Sequence, residues 1–318
     1  MKRLLGLLAV ITLLISGTGN VLAEIIVFSN SNLNAPDYRI RQYDNLGGNL
    51  SDVVLGSGAR QIALDLQNSK MYWGGGFIGG DSGIFSANLD GSDVRLFLES
   101  ADAYGVALDV TAGRIYWAGP QQRKIQSARL SDGGDIRDVV VGLTQPRDLA
   151  LDLVHGMVYW AEGGDRGVDA VRRASLSGGP IQDLVRGWNN PAIGQPNGIA
   201  LDVLNDRLYY SDLDYGRIFR ASLDGSNRSV LVSGLGGPMG LFIDRSWLYW
   251  VDDKIQRSRL DGTMIEDVVT TGLLGSLDGG IAVYPSAVPE PSTVVAFASL
   301  SLTGIGIGVW RRRQQNAK

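Results

Sequence analysis

Five aspartates recur along the 318-residue chain at near-even spacing, Asp65, Asp109, Asp152, Asp202 and Asp244. Carboxylates converging on one axis could coordinate a hard cation or share acid and base work. Each of the five instead stands just before a short polar turn, where Asp accepts local backbone N–H groups, and turn structure is the reading that context favours. Three further acids, Glu162, Asp212 and Asp252, are followed by Arg173, Arg220 and Arg257, whereas copies with Gly75 or Gly119 in the acid's place carry Ser86 or Ser127 in the arginine's. Acid and arginine that come and go together read as structural ion pairs across adjacent strands, ~0.2–1 kcal/mol each, and not as a ring of ligand-binding acids. Nucleophilic catalysis has little to work with. The chain has no cysteine, and its single histidine, His155, lies in the turn Val154–Gly156 between strands, whereas a Ser-His-Asp arrangement needs that imidazole in a pocket. Gly74–Gly76 and Gly79–Gly80 precede neither a lysine nor a helix, so no phosphate loop is read there. No catalytic residue, metal site or cofactor is expected.

The aspartates mark a repeat. Each closes a run such as Ile62–Asp65 or Ile199–Asp202, and each is followed by an aromatic pair: Tyr72 and Trp73, Tyr116 and Trp117, Tyr159 and Trp160, Tyr209 and Tyr210, Tyr249 and Trp250. The steps between aspartates are 44, 43, 50 and 42 residues, a period that signals one supersecondary unit per copy in a propeller or solenoid. Four β-prone runs fill a copy; in the fourth they span 199–202, 208–212, 217–223 and 229–232, with the hairpin signal Asp224-Gly225 between the last two. Apolar residues on both parities of these runs require cover on both faces, which a ring of face-to-face sheets supplies. The outermost run occurs six times, one more than the full copies, and the extra run is Asp52–Leu55. Its blade lacks a first strand nearby, but 280–284 can supply one, and 25–29 and 38–43 its second and third. The expectation is an all-β, six-bladed β-propeller of four-stranded antiparallel blades over 24–284, closed by a blade shared between the two chain ends.

The Tyr-Trp pairs after an Ala-Leu-Asp strand, followed by Ile218–Gly225, resemble the YWTD repeats of the low-density-lipoprotein receptor class B type, over nearly all of 24–284. That resemblance implies the same six-bladed propeller. The third and fourth motif positions depart from the pattern, reading Gly74-Gly75, Ala118-Gly119, Ala161-Glu162, Ser211-Asp212 and Val251-Asp252, and no cysteine-rich module flanks the repeats. The resemblance therefore carries the fold and not a receptor's biology.

The chain ends read as addresses. Met1–Arg3, the apolar run from Leu4 to Ile15 and small residues up to Ala23 make 1–23 a secretory signal peptide, too short in its apolar run for a membrane span. A Pro- and Ser-rich linker at 285–292 precedes an uncharged apolar stretch, 293–310, long enough for a transmembrane helix, and a basic tail at 311–318 that the positive-inside rule keeps cytoplasmic. Pro289, Glu290 and Pro291, then the apolar stretch, then Arg311, Arg312 and Arg313 are similar to the PEP-CTERM sorting signal, which implies a temporary membrane hold, cleavage by an exosortase, and delivery to the cell surface or an extracellular polysaccharide matrix. Without both signals the body carries 23 basic and 32 acidic groups, net −9, which argues against nucleic acid as a partner.

In an up-and-down blade, the two connections that vary from copy to copy share one face of the disc, and function usually lives on such loops. The residues leading into each first strand align as Arg60, Tyr104, Arg147, Asn197, Met239 and Gly279 and differ from blade to blade. They should ring the channel mouth. With Trp188 from the long loop 186–196 they could hold a saccharide or an anionic group. The function expected is an exported, surface- or matrix-destined, non-catalytic binding scaffold, its partners an extracellular polysaccharide or surface protein besides the export machinery. A metal-dependent propeller hydrolase or lyase and a purely structural matrix protein are the alternatives.

Overall fold

The computed structural model describes residues 24–32, 37–77, 82–99, 102–163, 169–187, 194–270 and 276–286. The signal peptide, the sorting signal with its apolar stretch and basic tail, and Trp188 lie outside the described residues. Among the described residues no helix is long and apolar enough to cross a membrane.

The strands form six four-stranded antiparallel sheets. Five blades are consecutive in sequence, with innermost strands Ser57–Asp65, Val106–Asp109, Pro146–Asp152, Pro196–Asp202 and Leu241–Asp244. They are blades 1 to 5. Blade 6 takes its innermost strand, Ser276–Pro285, from the C-terminal side and the next three, Glu24–Asn32, Asp37–Asp44 and Asn49–Leu55, from the N-terminal side. Val27 pairs with Ala282 and Phe28 with Ile281, so the two ends of the propeller are hydrogen-bonded into one sheet. In blade 4 the strands are Pro196–Asp202, Arg207–Asp212, Arg217–Ala221 and Ser229–Ser233. The first begins three residues earlier than expected, because Pro196 pairs with Asp212 across a register shift before Ile199; such a bulge continues pairing while re-aiming the strand.

Adjacent residues of a strand point to opposite faces, and the aromatic pair exploits this. Trp117 packs in the seam between blades 1 and 2 while its neighbour Tyr116 packs in the next seam, against Leu149 and Val158. Tyr159 and Tyr210 share the following seam, Tyr209 and Trp250 the one after, and Tyr249 meets Ile26 and Phe28 of blade 6. Trp73 closes the ring beside Val27 and Ala282. The core is thus six interlocked seams, one per blade pair, and the repeated aromatic pair is the device that feeds two seams from each of blades 1 to 5, with Val27 and its neighbours Ile26 and Phe28 doing so from blade 6. Such rings bury ~150–250 Å² each, at ~25 cal/mol per Å² about 4–6 kcal/mol of gross driving force per ring.

The turns behave as their residues dictate. In the outer hairpins Asp90, Asp132, Asp224 and Asp261 each accept the backbone N–H two residues on, at 2.9 Å, and the following glycine, Gly225 for instance at φ +85°, occupies the left-handed region that disfavours other residues.

Candidate functional site

The expected pairing of Glu162 with Arg173, Asp212 with Arg220 and Asp252 with Arg257 does not form, and the reason is register. In blade 5 the turn is Asp252–Lys254, three residues closed by the Asp252 N–H on the Lys254 carbonyl, so Arg257 stands opposite Tyr249 and Gln256 opposite Trp250. A one-residue slip sends a side chain to the other face. Arg173 and Arg220 likewise stand opposite Tyr159 and Tyr209. The arginines act between blades: Arg173 Nη1 donates to Tyr159 Oη at 3.2 Å and to the Leu223 carbonyl of blade 4 at 3.0 Å, and Arg257 Nη1 donates to Tyr249 Oη at 3.0 Å and to Glu24 Oε2 of blade 6 at 3.3 Å.

The acids serve the loops. Asp212 accepts the Gly194 N–H at 2.8 Å, and Asp252 accepts those of Gly236 and Gly237 at 3.0 and 2.7 Å. Glu162, fully buried, accepts the N–H groups of Thr144 and Gln145, the Trp160 indole at 3.1 Å and Arg172 at 2.6 Å. Each acid therefore caps the connection that runs into its own blade's innermost strand, supplying acceptors to N–H groups no ladder reaches. At the opposite face, Asp65, Asp109, Asp152 and Asp202 accept the N–H three residues on. His155 is exposed at its turn, its Nδ1 2.7 Å from Asp152 Oδ2. Among the described residues no group of three or more His, Cys, Asp or Glu is placed to hold a metal ion.

At the mouth, Arg60, Tyr104, Arg147 and Asn197 come together. The Arg60 and Arg147 guanidinium carbons lie 5.0 and 5.9 Å from the Tyr104 ring centroid, and Asn197 Nδ2 donates to Tyr104 Oη at 3.4 Å. Met239 Cβ is 3.3 Å from where a Cβ on Gly279 would stand, and the Arg60 carbonyl is 3.5 Å from it. Blades 1, 2 and 3 thus build an arginine–tyrosine–arginine stack, each cation drawn to the ring face. Arg147 spends its Nε on the Gly163 carbonyl at 2.9 Å, and among the described residues neither guanidinium has an ion-pair partner. Two forks of donors left over around one aromatic ring suit a carboxylate, sulfate or phosphate group.

One residue further along each innermost strand stand Gln61, Gly105, Asp148, Gly198, Gly240 and Gly280. The glycines let the strands touch: a Cβ on Gly198 would lie 2.1 Å from the Met239 carbonyl oxygen, and one on Gly240 would lie 1.7 Å from that of Gly279. Where the glycines stop, Gln61 and Asp148 fill the axis. Gln61 Nε2 donates to both Asp148 oxygens, at 3.1 and 3.0 Å, and the Leu149 and Ile199 N–H groups complete the carboxylate at 2.8 and 3.0 Å. Asp148 is wholly buried, and burial pushes its carboxyl up to about 7 against the opposing pull of those donors. The repeat pattern points to neither Gln61 nor Asp148. The signal that finds them is the glycine column they interrupt.

No family model matches the chain. It is 31 % identical over 202 residues to the vitellogenin receptor Yl of Drosophila melanogaster, covering 63 % of this chain and 10 % of that protein. It is 37 % identical over 81 residues to protein cueball of Drosophila yakuba, 22 % of this chain and 13 % of that one. The chain spans about a tenth of the length of these curated relatives. A solved chain of the nidogen/laminin complex superposes with a TM-score of 0.70 at 20 % identity, covering 82 % of this chain and 98 % of that one. The architecture is that of a six-bladed propeller, similar to the YWTD type. A gluconolactonase from Xanthomonas campestris superposes less well, with a TM-score of 0.55 at 20 % identity over 67 % of this chain and 76 % of that one, and shares the fold alone.

Proposed function

We propose that the protein is an exported, non-catalytic binding scaffold of the cell surface or extracellular matrix, and that its channel mouth takes an anionic group carried by a polysaccharide or a surface protein. The observation that carries this reading is the Arg60–Tyr104–Arg147 stack, in which two cations on a ring of strands have no ion-pair partner among the described residues. The nidogen/laminin neighbour supports a propeller of this shape as a protein-binding module, and the relative that is a vitellogenin receptor supports the same class of role. Export rests on the N-terminal 1–23 segment, and sorting by an exosortase rests on Pro289, Glu290, Pro291 and Arg311–Arg313. Replacing Arg60, Arg147 and Trp188 by Ala together should abolish retention of the purified protein on the producing strain's extracellular polysaccharide and surface proteins. Unchanged retention by a variant with native circular dichroism would remove the mouth from the account.

A further inference from the structure

Gln61 and Asp148 come from blades 1 and 3, which are not neighbours; blade 2, bearing Tyr104 and Gly105, stands between them. Each directly follows a mouth arginine, Arg60 or Arg147. Four other blades close the same layer with glycine, so the ring has a way to close that needs no side chain there. The amide-to-carboxylate bonds at 3.0 and 3.1 Å instead fix the distance across the axis between the two strands that carry the arginines, while the Ile199 N–H of blade 4 holds the carboxylate from its far side.

We propose that Gln61 and Asp148 are the positioning residues of the mouth: bridging blades 1 and 3, they hold Arg60 and Arg147 together on the Tyr104 ring between them, so that both guanidinium groups meet one ligand anion. The inference rests on the anion-site reading above, and its first readout needs no ligand. Ring current from Tyr104 shifts the guanidinium Nε–H resonances of Arg60 and Arg147, which Tyr104→Leu identifies. Asp148→Gly and Gln61→Gly, each copying the residue of the other blades, should both lose these shifts and weaken the titrated affinity for inorganic sulfate roughly tenfold. The exchange variant Gln61→Glu with Asp148→Asn keeps the bridge between blades 1 and 3: the new carboxylate at 61 accepts from the Ile62 N–H and from the new amide at 148, whose single oxygen keeps one of the Leu149 and Ile199 N–H groups that Asp148 binds on separate oxygens. It should restore both readouts. A purely structural pair would leave the arginine resonances unmoved in a folded glycine variant, and that result, or failure of the exchange variant to restore them, overturns the proposal. Loss of the shifts with sulfate affinity retained upholds the positioning role and removes the anion-site reading instead.

Discussion

A carboxylate sealed on the propeller axis should make the whole ring pH-sensitive, and Asp148→Asn is the perturbation that exposes it. Burial raises the folded-state value of Asp148 from 3.8 to about 7. A raised carboxyl favours the folded state below its unfolded value, near 4, and that contribution drains away as pH rises through the folded value, near 7. Each tenfold gain in proton affinity is worth about 1.4 kcal/mol, so the roughly thousandfold gain on folding amounts to about 4 kcal/mol, all of it lost by about pH 8. Asparagine cannot titrate. Its amide offers one oxygen where the carboxylate offers two, so one of the Leu149 and Ile199 N–H groups loses its acceptor, a cost that offsets the variant's stability by the same amount at every pH. The slope of the difference therefore carries the test. Thermal melts of both proteins at pH 4.5, 6, 7 and 8.5 should show the variant gaining on the native chain by about 3 kcal/mol across that range, or roughly 8 °C in Tm for a domain of this size. Parallel stability curves would refute the reasoning, for they would mean that Asp148 titrates alike in the folded and unfolded chain.

Glu24→Ala should cost about 3 kcal/mol in urea denaturation, because it strands the Tyr249 hydroxyl, bonded at 2.7 Å, and removes an acceptor of Arg257 at the seam where the chain ends meet. Gly240→Ala should cost ~3 kcal/mol or more, since its Cβ would lie 1.7 Å from a backbone oxygen that has no room to retreat. Gly142→Ala, at φ +76° with nothing within 4 Å, should cost only about 1 kcal/mol on the same denaturation curve. Chelation of the purified protein should leave its Tm unmoved; a drop reversed by Ca²⁺ would revive the metal-dependent hydrolase reading.

The blades are legible in the sequence because their cause is local and repeated: an Asp that closes a strand, an aromatic pair that must feed two seams, an Asp-Gly that turns the outer hairpin. Closure by the two ends is legible for the same reason, since six outer strands and five complete copies leave one blade short of partners. The partners of Glu162, Asp212 and Asp252 are not legible in the same way, although every residue involved is in plain view. In blade 5 the pairing depends on whether the turn before Ile255 holds two residues or three, and Asp253-Lys254 fits a two-residue loop until the Asp252 N–H closes on Lys254. One residue of register then puts each arginine on the face of the tyrosine and leaves the acid on the other, where loop N–H groups claim it.

The axial layer is hidden by a different circumstance. Strand patterning separates apolar from polar positions, and at this layer glycine counts as neither. Gly105, Gly198, Gly240 and Gly280 are informative only together, as places where one strand's backbone meets the next strand's carbonyl oxygen. Once they are seen as a column, Gln61 and Asp148 are the departures from it, and a buried amide and carboxylate at a contact this close must satisfy each other or be lost. Scaffold residues in this chain repeat, and the residues that give it individuality break the repeat: the arginines and tyrosine of the mouth change from blade to blade, and the pair beneath them replaces glycine in only two. Both departures fall on blades 1 and 3, with Tyr104 of blade 2 between them. Two breaks in the repeat that share strands, adjoin in sequence and are joined by hydrogen bonds constrain one site, and that shared address is what ties the axial pair to the mouth.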